Sequence, residues 1–358
     1  MKLGIVGLPN VGKTTLFNAL TGAKAETGSY TNAAARPNIG TAKVPDERLD
    51  WLAEYYHPKK YSPATIEFVD VPGVASGGKG ANEVFQAIRQ TDAIVEVVRC
   101  FDNDDIFVEK ADAVRDAESF ELELILADLE LVERRLERAK KNAKSGDKKY
   151  KREVEMCQAL LAHLEAEKPA RDFAFTEEDE AILTDGGLLT VKPMIYAANL
   201  DEAGMSDLAG NANFQALSAF AAAHGAAVLP VAAKFEEDIA ELDPEEAKMF
   251  MEDLGLTETG LDRLIRTSYD LLGYISFLTA GEDDVHAWTI VRGTKAPKAA
   301  GKIHTDIERG FIRAEIVAFE DLKACGSMAA AKEKGHFRLE GKDYVMQDGD
   351  VTMFRFNV

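Results

Sequence analysis

The sequence predicts an α/β protein: a doubly wound, mostly parallel sheet with an antiparallel coiled-coil insertion, closed at its carboxy end by a smaller α+β module. Three observations predict it. Gly7-Leu8-Pro9-Asn10-Val11-Gly12-Lys13-Thr14 has the phosphate-loop spacing G-x-x-x-x-G-K-[ST] and lies between a strand-length apolar run and a helical stretch. Apolar runs alternate with helical stretches through the first three quarters of the chain, a pattern that builds a parallel sheet covered on both faces. From about Tyr274 the texture changes to short strands and turns.

The first element is a short buried strand, Leu3-Gly4-Ile5-Val6, and Thr14 to Leu20 begins a helix after the loop. In such a loop successive backbone N–H groups turn inward and cradle phosphates, Lys13 reaches the β- and γ-phosphates, and the Thr14 hydroxyl is a ligand for Mg²⁺. Gly7 and Gly12 permit backbone angles that a Cβ obstructs. The helix dipole favours the anion. Further strands are predicted at 64–69, 93–98, 194–198 and 227–231. Ligands of such sheets sit beyond the carboxyl ends of the strands, where the loop, Asp70 and Asn199 all fall.

Between the strands at 93–98 and 194–198, Leu122, Ile125, Leu129, Val132, Leu136 and Ala139 follow alternating three- and four-residue steps. After the turn-like Lys144-Ser145-Gly146-Asp147, the series Tyr150, Val154, Cys157, Leu161 and Leu164 does the same, which predicts a helical hairpin. Its tip is basic: between Arg134 and Arg152 ten Lys/Arg face two acids, a local charge of +8 on a chain of −20. A solvated helical face is the plain alternative, but such a concentration at a protruding end suits RNA phosphates. In the closing module, strands are predicted at 285–290 and 310–316, with a hairpin over 344–354 turning at Asp348-Gly349.

Composition sets the outer bounds. With 358 residues, 46% hydrophobic and 29% charged, the chain is an ordinary globular protein of two or three domains. No apolar run approaches a membrane span, and Met1-Lys2 leads directly into a strand, so neither membrane partner nor signal peptide is expected. Cys100, Cys157 and Cys325 lack metal-site spacing and read as reduced thiols of a cytoplasmic protein. The net charge excludes generic coating of nucleic acid.

Two further motifs narrow the chemistry. Asp70-Val71-Pro72-Gly73 follows a strand, where GTPase-like proteins place an Asp on a Mg²⁺-bound water and a Gly whose N–H senses the γ-phosphate. Val74 stands where Ras-like enzymes keep a water-orienting Gln, so water is positioned by other means or hydrolysis is slow. Asn199-Leu200-Asp201-Glu202 occupies the place of a guanine-reading Asn-Lys-x-Asp. There the Asp accepts from guanine N1–H and N2–H₂, neither of which adenine offers. Glu202 and Leu200 replace the Asp and Lys, which dismantles that reader.

Together these residues resemble the YchF / Obg-like ATPase family, nearly end to end. The stretches that carry the resemblance are Gly4 to Lys13, Val98-Arg99-Cys100-Phe101-Asp102-Asn103-Asp104, Asn199 to Glu202, Ala296 to Asp306, Arg338 to Tyr344 and the terminal Phe354-Arg355-Phe356-Asn357-Val358. The resemblance implies a nucleotide-binding domain over 1–275 with a helical hairpin inserted at about 115–190, and a β-grasp TGS domain over 276–358. It also implies ATP hydrolysis favoured over GTP, and association with ribosomes. Lys13, Asp70 and Gly73 are placed at the chemistry, with Thr14 and Asp70 on Mg²⁺. Asn10, Val11, Gly12, Lys13, Thr14 and Thr15 hold the phosphates, and Asn199, Leu200, Glu202, Ala233 and Lys234 form the base slot. In related switches an Asn at the Asn10 position helps hold K⁺ beside the phosphates, so K⁺ is a second expected cation.

The chain departs from the family in its switches. Aligned on Pro37-Asn38, Ala34 stands at the family's metal-closing Thr and Arg36 at its Glu, while Thr31 and Thr41 are at other offsets. The loop from Val74 to Gly80 is shortened, and no His lies between His57 and His163. The expected function is a Mg²⁺-dependent, ribosome-associated ATPase switch, monomeric, touching ribosomal RNA through the Arg134–Arg152 tip and through the TGS domain. The alternatives are a nucleotide-gated scaffold with negligible turnover, and a GTPase.

Overall fold

A computed structural model describes residues 2–25, 37–73, 81–183, 187–240, 242–253 and 258–357. The chain begins β1 (Lys2–Val6), α1 (Lys13–Thr21), β2 (Asn38–Lys43), α2 (Glu47–Tyr56), β3 (Lys60–Ser62), β4 (Thr65–Asp70), α3 (Ala81–Arg89) and β5 (Ala93–Arg99). The helices α4 (Ala113–Ala143), α5 (Lys148–Glu165) and α6 (Glu177–Ile182) follow. Then come β6 (Met194–Asn199), α7 (Glu202–Ser206), α8 (Ala212–Ala223), β7 (Ala227–Val231), α9 (Ala233–Ala240), α10 (Pro244–Asp253) and α11 (Gly260–Leu271). The last stretch holds β8 (Tyr274–Ala280), β9 (Asp284–Val291), α12 (Ala296–Ile303), α13 (Thr305–Arg309) and β10 (Phe311–Ala318). It ends with α14 (Phe319–Cys325), α15 (Met328–Glu333), β11 (Arg338–Glu340) and β12 (Asp350–Phe356).

These elements form two compact units, Met1–Gly40 with Glu67–Leu261, and Thr41–Ile66 with Asp262–Val358. In the first, the sheet runs β2-β4-β1-β5-β6-β7, and β1 lies parallel between β4 and β5. The four predicted strands after β1 are all present, and the α/β, doubly wound class is the one observed. Register sets the site: Ile5 pairs with Asp70, Val6 with Glu96, and Arg99 with Asn199. The phosphate loop, Asp70 and Asn199 therefore lie at one edge of the sheet, at the carboxyl ends of β1, β4 and β6.

The insertion is helical, as predicted, but its seam differs. The first half of α4 lays Ala113, Ala117, Phe120, Leu124 and Ala127 on the sheet core, and this leaves Leu122 exposed. Its second half turns Val132, Leu136 and Ala139 toward α5. On α5 the fully buried stripe is Met156, Cys157, Leu160 and Leu164; Val154 and Leu161 flank it, and Tyr150 is only half-buried. The stripe is shifted because the segment around Ala170, Phe173, Phe175 and Ile182 also packs against the pair. A third partner widens the apolar face beyond a two-helix seam. At the base, Asp128 accepts from Leu189 N (2.7 Å), Thr190 N (2.9 Å) and Thr190 Oγ1 (2.7 Å), a fully buried clamp where the chain returns to β6.

In the second unit the sheet runs β11-β10-β12-β8-β9-β3, with α12 and α13 over a core of Ile275, Phe277, Ile290, Ala299, Ile316 and Phe354. The sequence places residues 41–66 and 262–275 in the nucleotide-binding domain, whereas the compact units join them to the carboxy-terminal sheet. The physical reason is non-local pairing: β3 lies parallel to β9, and α2 packs against β8 and β9. The hairpin predicted over 344–354 is not formed. Gly349 N donates to Ser276 O (2.9 Å), Ser276 N donates to Asp348 Oδ1 (2.8 Å), and β12 pairs with β10 and β8. Residues 344–347 instead close a loop on Asp350, which accepts from Tyr344 Oη (2.9 Å) and Gln347 N (2.9 Å).

Candidate functional site

The phosphate loop is built by backbone angles that few residues tolerate. Gly7, Asn10 and Gly12 have φ of +137°, +64° and +98°. A Cβ on Gly7 would stand 2.5 Å from Val97 O, and one on Gly12 would stand 2.4 Å from Asn199 Nδ2. Gly12 also caps α1 with no side-chain hydrogen bond, and the first turn of α1 carries no acid. The amides there face a ligand position, with the helix dipole favouring negative charge.

Lys13 is 7% exposed and donates to Leu8 O at 2.6 Å. Burial pulls its ammonium down to about 8, opposed by the negative charge of Asp70. An ammonium held almost dry, with a neutral partner, is poised for phosphate. A Cβ on Gly73 would lie 2.9 Å from Lys13 Nζ and 3.1 Å from Pro9 Cα, so this glycine brings its backbone close to the same place.

Asp70 closes the site from β4. Its Oδ2 accepts from Thr14 Oγ1 (3.0 Å) and Asn38 Nδ2 (3.3 Å). Its Oδ1 is buried and has no hydrogen-bond partner among the described residues. Burial raises the carboxyl above its ordinary value, against the two hydrogen bonds and the charge of Lys13. An orphan carboxylate oxygen beside a hydroxyl fits a hard cation with its water shell. Among the described residues no three His, Cys, Asp or Glu cluster into a metal cage, and Mg²⁺ beside phosphates needs only one or two protein oxygens. Thr14 and Asp70 fit that role.

Asn199 is 5% exposed, at the end of β6. Its Nδ2 donates to Val11 O (2.9 Å) and its Oδ1 accepts from Ala233 N (3.0 Å), so it ties the phosphate loop to the start of α9. The other residues expected at the base slot are placed unequally. The Leu200 side chain belongs to the apolar core, 4% exposed. Glu202 stands exposed at the first position of α7, while Asp201 caps that helix by accepting from Gly204 N at 2.8 Å. Ala233 is buried, and Lys234 is exposed and paired with Glu237 (3.1 Å) and Asp238 (2.9 Å). Thr15 is half-buried in the first turn of α1, and Asn10 is exposed.

Thr31, Ala34, Arg36 and Val74 lie outside the described residues. Two residues with contacts at the site carry no role in the motifs. Asn38 reaches Asp70, and its only sequence signal was the Pro37-Asn38 pair. Arg99, 3% exposed, donates to Glu109 O (3.2 and 3.3 Å) and stacks on Phe107 at 3.8 Å. With Leu8, Pro9, Val11 and Phe107 it lines a cleft of about 370 Å³. Its signal was a cation at the end of a buried strand.

The basic tip is narrower than the sequence count. Arg135 pairs with Glu153 (2.8 Å) and donates to Ile182 O (2.6 Å), and Arg152 pairs with Asp179 (2.8 Å). These two fasten the insertion, while Arg134, Arg138, Lys140, Lys141, Lys144, Lys148, Lys149 and Lys151 are exposed.

Comparison with known proteins places this geometry. The profile described as 50S ribosome-binding GTPase matches residues 2–132, and that of the YchF GTPase carboxy-terminal domain, described as a protein of unknown function (DUF933), matches 274–357. The chain is 52% identical over 361 residues to the ribosome-binding ATPase YchF of Bacillus subtilis (strain 168), covering 99% of each chain. It is 47% identical over 363 residues to that of Haemophilus influenzae, covering 100% of this chain and 99% of the relative. The structure of the Schizosaccharomyces pombe YchF GTPase superposes with a TM-score of 0.85 at 34% identity, over 99% of this chain and 97% of that one. Full-length identity of this order means that the chain belongs to the YchF / Obg-like ATPase family.

Proposed function

We propose that this protein is a Mg²⁺-dependent ATPase that works as a conformational switch on the ribosome, in the cytoplasm and as a monomer. The observation that carries the reading is the buried, charge-poised Lys13 beside Thr14 and the half-satisfied carboxylate of Asp70. In that arrangement the backbone amides, Lys13 and the α1 amino end bind and orient the triphosphate. Asp70 and Thr14 would hold Mg²⁺, which when bound would supply positive charge to neutralise the triphosphate. Gly73 N–H senses the γ-phosphate. Described side chains offer no dedicated general base, and phosphoryl transfer runs on positioning and charge stabilisation. The names of the bacterial relatives, ribosome-binding ATPase, support both nucleotide and partner.

The base is adenine because Glu202 replaces the Asp that pairs guanine and its carboxylate is exposed rather than held in a slot. The fission-yeast structure is named a GTPase, so selectivity is the first thing to measure. Titration of the purified protein is expected to show ATP binding at least about tenfold tighter than GTP; equal affinity, or preference for GTP, refutes the adenine reading. Single-turnover hydrolysis in the same preparation separates a slow ATPase from a nucleotide-gated scaffold, the reading that Ala34 and Val74 favour. With Asn10 as a K⁺ ligand, turnover is faster in K⁺ than in Na⁺, and equal rates remove that ion.

The partner surface is the exposed cationic end of the α4–α5 hairpin, with the carboxy-terminal unit read as a TGS domain. Reversing Lys141, Lys144, Lys148 and Lys149 to Glu leaves the internal pairs of Arg135 and Arg152 intact. Co-sedimentation with ribosomes is expected to weaken about 100-fold at low salt and its salt dependence to flatten. Unchanged binding rejects the tip as the contact.

A further inference from the structure

The Asp70 carboxylate is oriented by the protein itself, and one of the groups that orient it, Asn38, has no site role in the sequence motifs. Asp70 ends β4, and its two oxygens are treated differently. Oδ2 takes two donors, Thr14 Oγ1 at 3.0 Å and Asn38 Nδ2 at 3.3 Å; Oδ1 is buried with none among the described residues. A carboxylate rotates freely about its terminal bond unless its environment distinguishes the two oxygens. Thr14 alone fixes one contact and leaves the plane of the group free to turn. Asn38 approaches from a different element, the first residue of β2, which neighbours β4 in the sheet. Two donors from two directions on one oxygen define the orientation of the other.

The chemistry of the donor is suited to the task. An amide adds a hydrogen bond without adding charge, so the carboxylate keeps its full attraction for a cation. An ammonium at position 38 would instead neutralise it. The position is exposed, so side-chain packing does not account for Asn there. A buried carboxylate oxygen without a donor is unfavourable, and a hydrated cation would supply the donor that Oδ1 lacks among the described residues.

We propose that Asn38 is the positioning residue of the metal site, holding Oδ2 of Asp70 so that Oδ1 is presented to the hydration shell of Mg²⁺. The proposal rests on the Mg²⁺–nucleotide reading above. Because the hydrogen bond that Asn38 makes at the site is to the carboxylate, its effect is expected in the metal-dependent part of binding.

The test is nucleotide affinity of the full chain for a fluorescent ADP, titrated with MgCl₂ and repeated in EDTA. The Asn38→Ala variant is expected to need about tenfold more Mg²⁺ for half-maximal tightening, the usual scale for losing an outer hydrogen bond to a metal ligand. Its affinity in EDTA is expected to stay within about twofold of wild type, which also reports a folded nucleotide site. Asn38→Gln keeps an amide at an exposed position and is expected to recover most of the Mg²⁺ response. An unchanged Mg²⁺ midpoint in Asn38→Ala, an equal loss with and without Mg²⁺, or no recovery in Asn38→Gln overturns the proposal. A wild type whose affinity ignores Mg²⁺ overturns the metal reading itself, and this proposal with it.

Discussion

Lys13→Met is expected to weaken ATP binding about 100-fold or more while making the protein without nucleotide more stable. The Lys13 ammonium is buried, hydrogen-bonded to the Leu8 carbonyl, and drawn down from 10.5 to about 8. Holding that charge in the site costs the fold about 3 kcal/mol. A methionine of similar length removes the charge and forfeits one hydrogen bond to a carbonyl, about 1 kcal/mol. The net gain is about 2 kcal/mol in chemical denaturation. The same substitution removes the ammonium proposed to meet the triphosphate, so affinity for ATP is expected to fall about 100-fold or more.

The pH dependence gives this prediction a signature. The folded value lies below the unfolded one, so below about pH 8 the lysine is charged in both states and its full cost is felt. As pH rises from about 8 toward 10.5 the folded protein sheds the proton first, and stability is recovered. The stability gap between Lys13→Met and wild type is therefore widest below pH 8 and closes across that window. A gap that does not depend on pH, or a variant less stable than wild type at pH 7, contradicts the account.

Asn199→Ala is expected to damage fold and site together. The side chain satisfies the buried Val11 carbonyl and Ala233 N–H in one amide group, at 2.9 and 3.0 Å. Removing it leaves both unpaired and opens space beside Gly12. Two such losses cost about 2–4 kcal/mol in unfolding experiments. The phosphate loop then loses its tie to α9, and ATP affinity is expected to fall about tenfold or more. Asn199→Asp is the sharper variant. Its shape is the same, but it sets a carboxylate oxygen against Val11 O where a donor stood, so it is expected to be at least as destabilised at neutral pH. Wild-type stability in Asn199→Asp would show that the amide bond to Val11 contributes nothing.

Much of this protein is legible because the relevant physics is local. The strands at 64–69, 93–98, 194–198 and 227–231 declare themselves by apolar runs, and the loop from Gly7 to Thr14 by glycines that the positive φ at Gly7 and Gly12 requires. Asp70 and Asn199 are found by rule, since strand ends in a parallel sheet converge on one edge. Other readings miss for equally physical reasons. The α5 seam is displaced because residues 170–182, distant in sequence, cover it. Asp348-Gly349 makes a sound hairpin signal, yet its amide and carboxylate bond to Ser276. Leu200 sits in the motif expected to read the base, but its side chain belongs to the apolar core.

By itself the sequence determined that a phosphate cradle opens a parallel α/β sheet, that a helical hairpin with a cationic end interrupts it, and that the guanine-reading residues are replaced. Those features follow from periodicity, spacing and side-chain chemistry within a few residues. Only the tertiary structure decided which donors meet Asp70, that Asn199 spends its amide on the backbone, that Arg135 and Arg152 serve internal pairs, and that residues 41–66 join the carboxy-terminal sheet. Each of these is a contact between segments far apart in the chain, and local patterns carry no information about which distant group will arrive at a given hydrogen-bond distance.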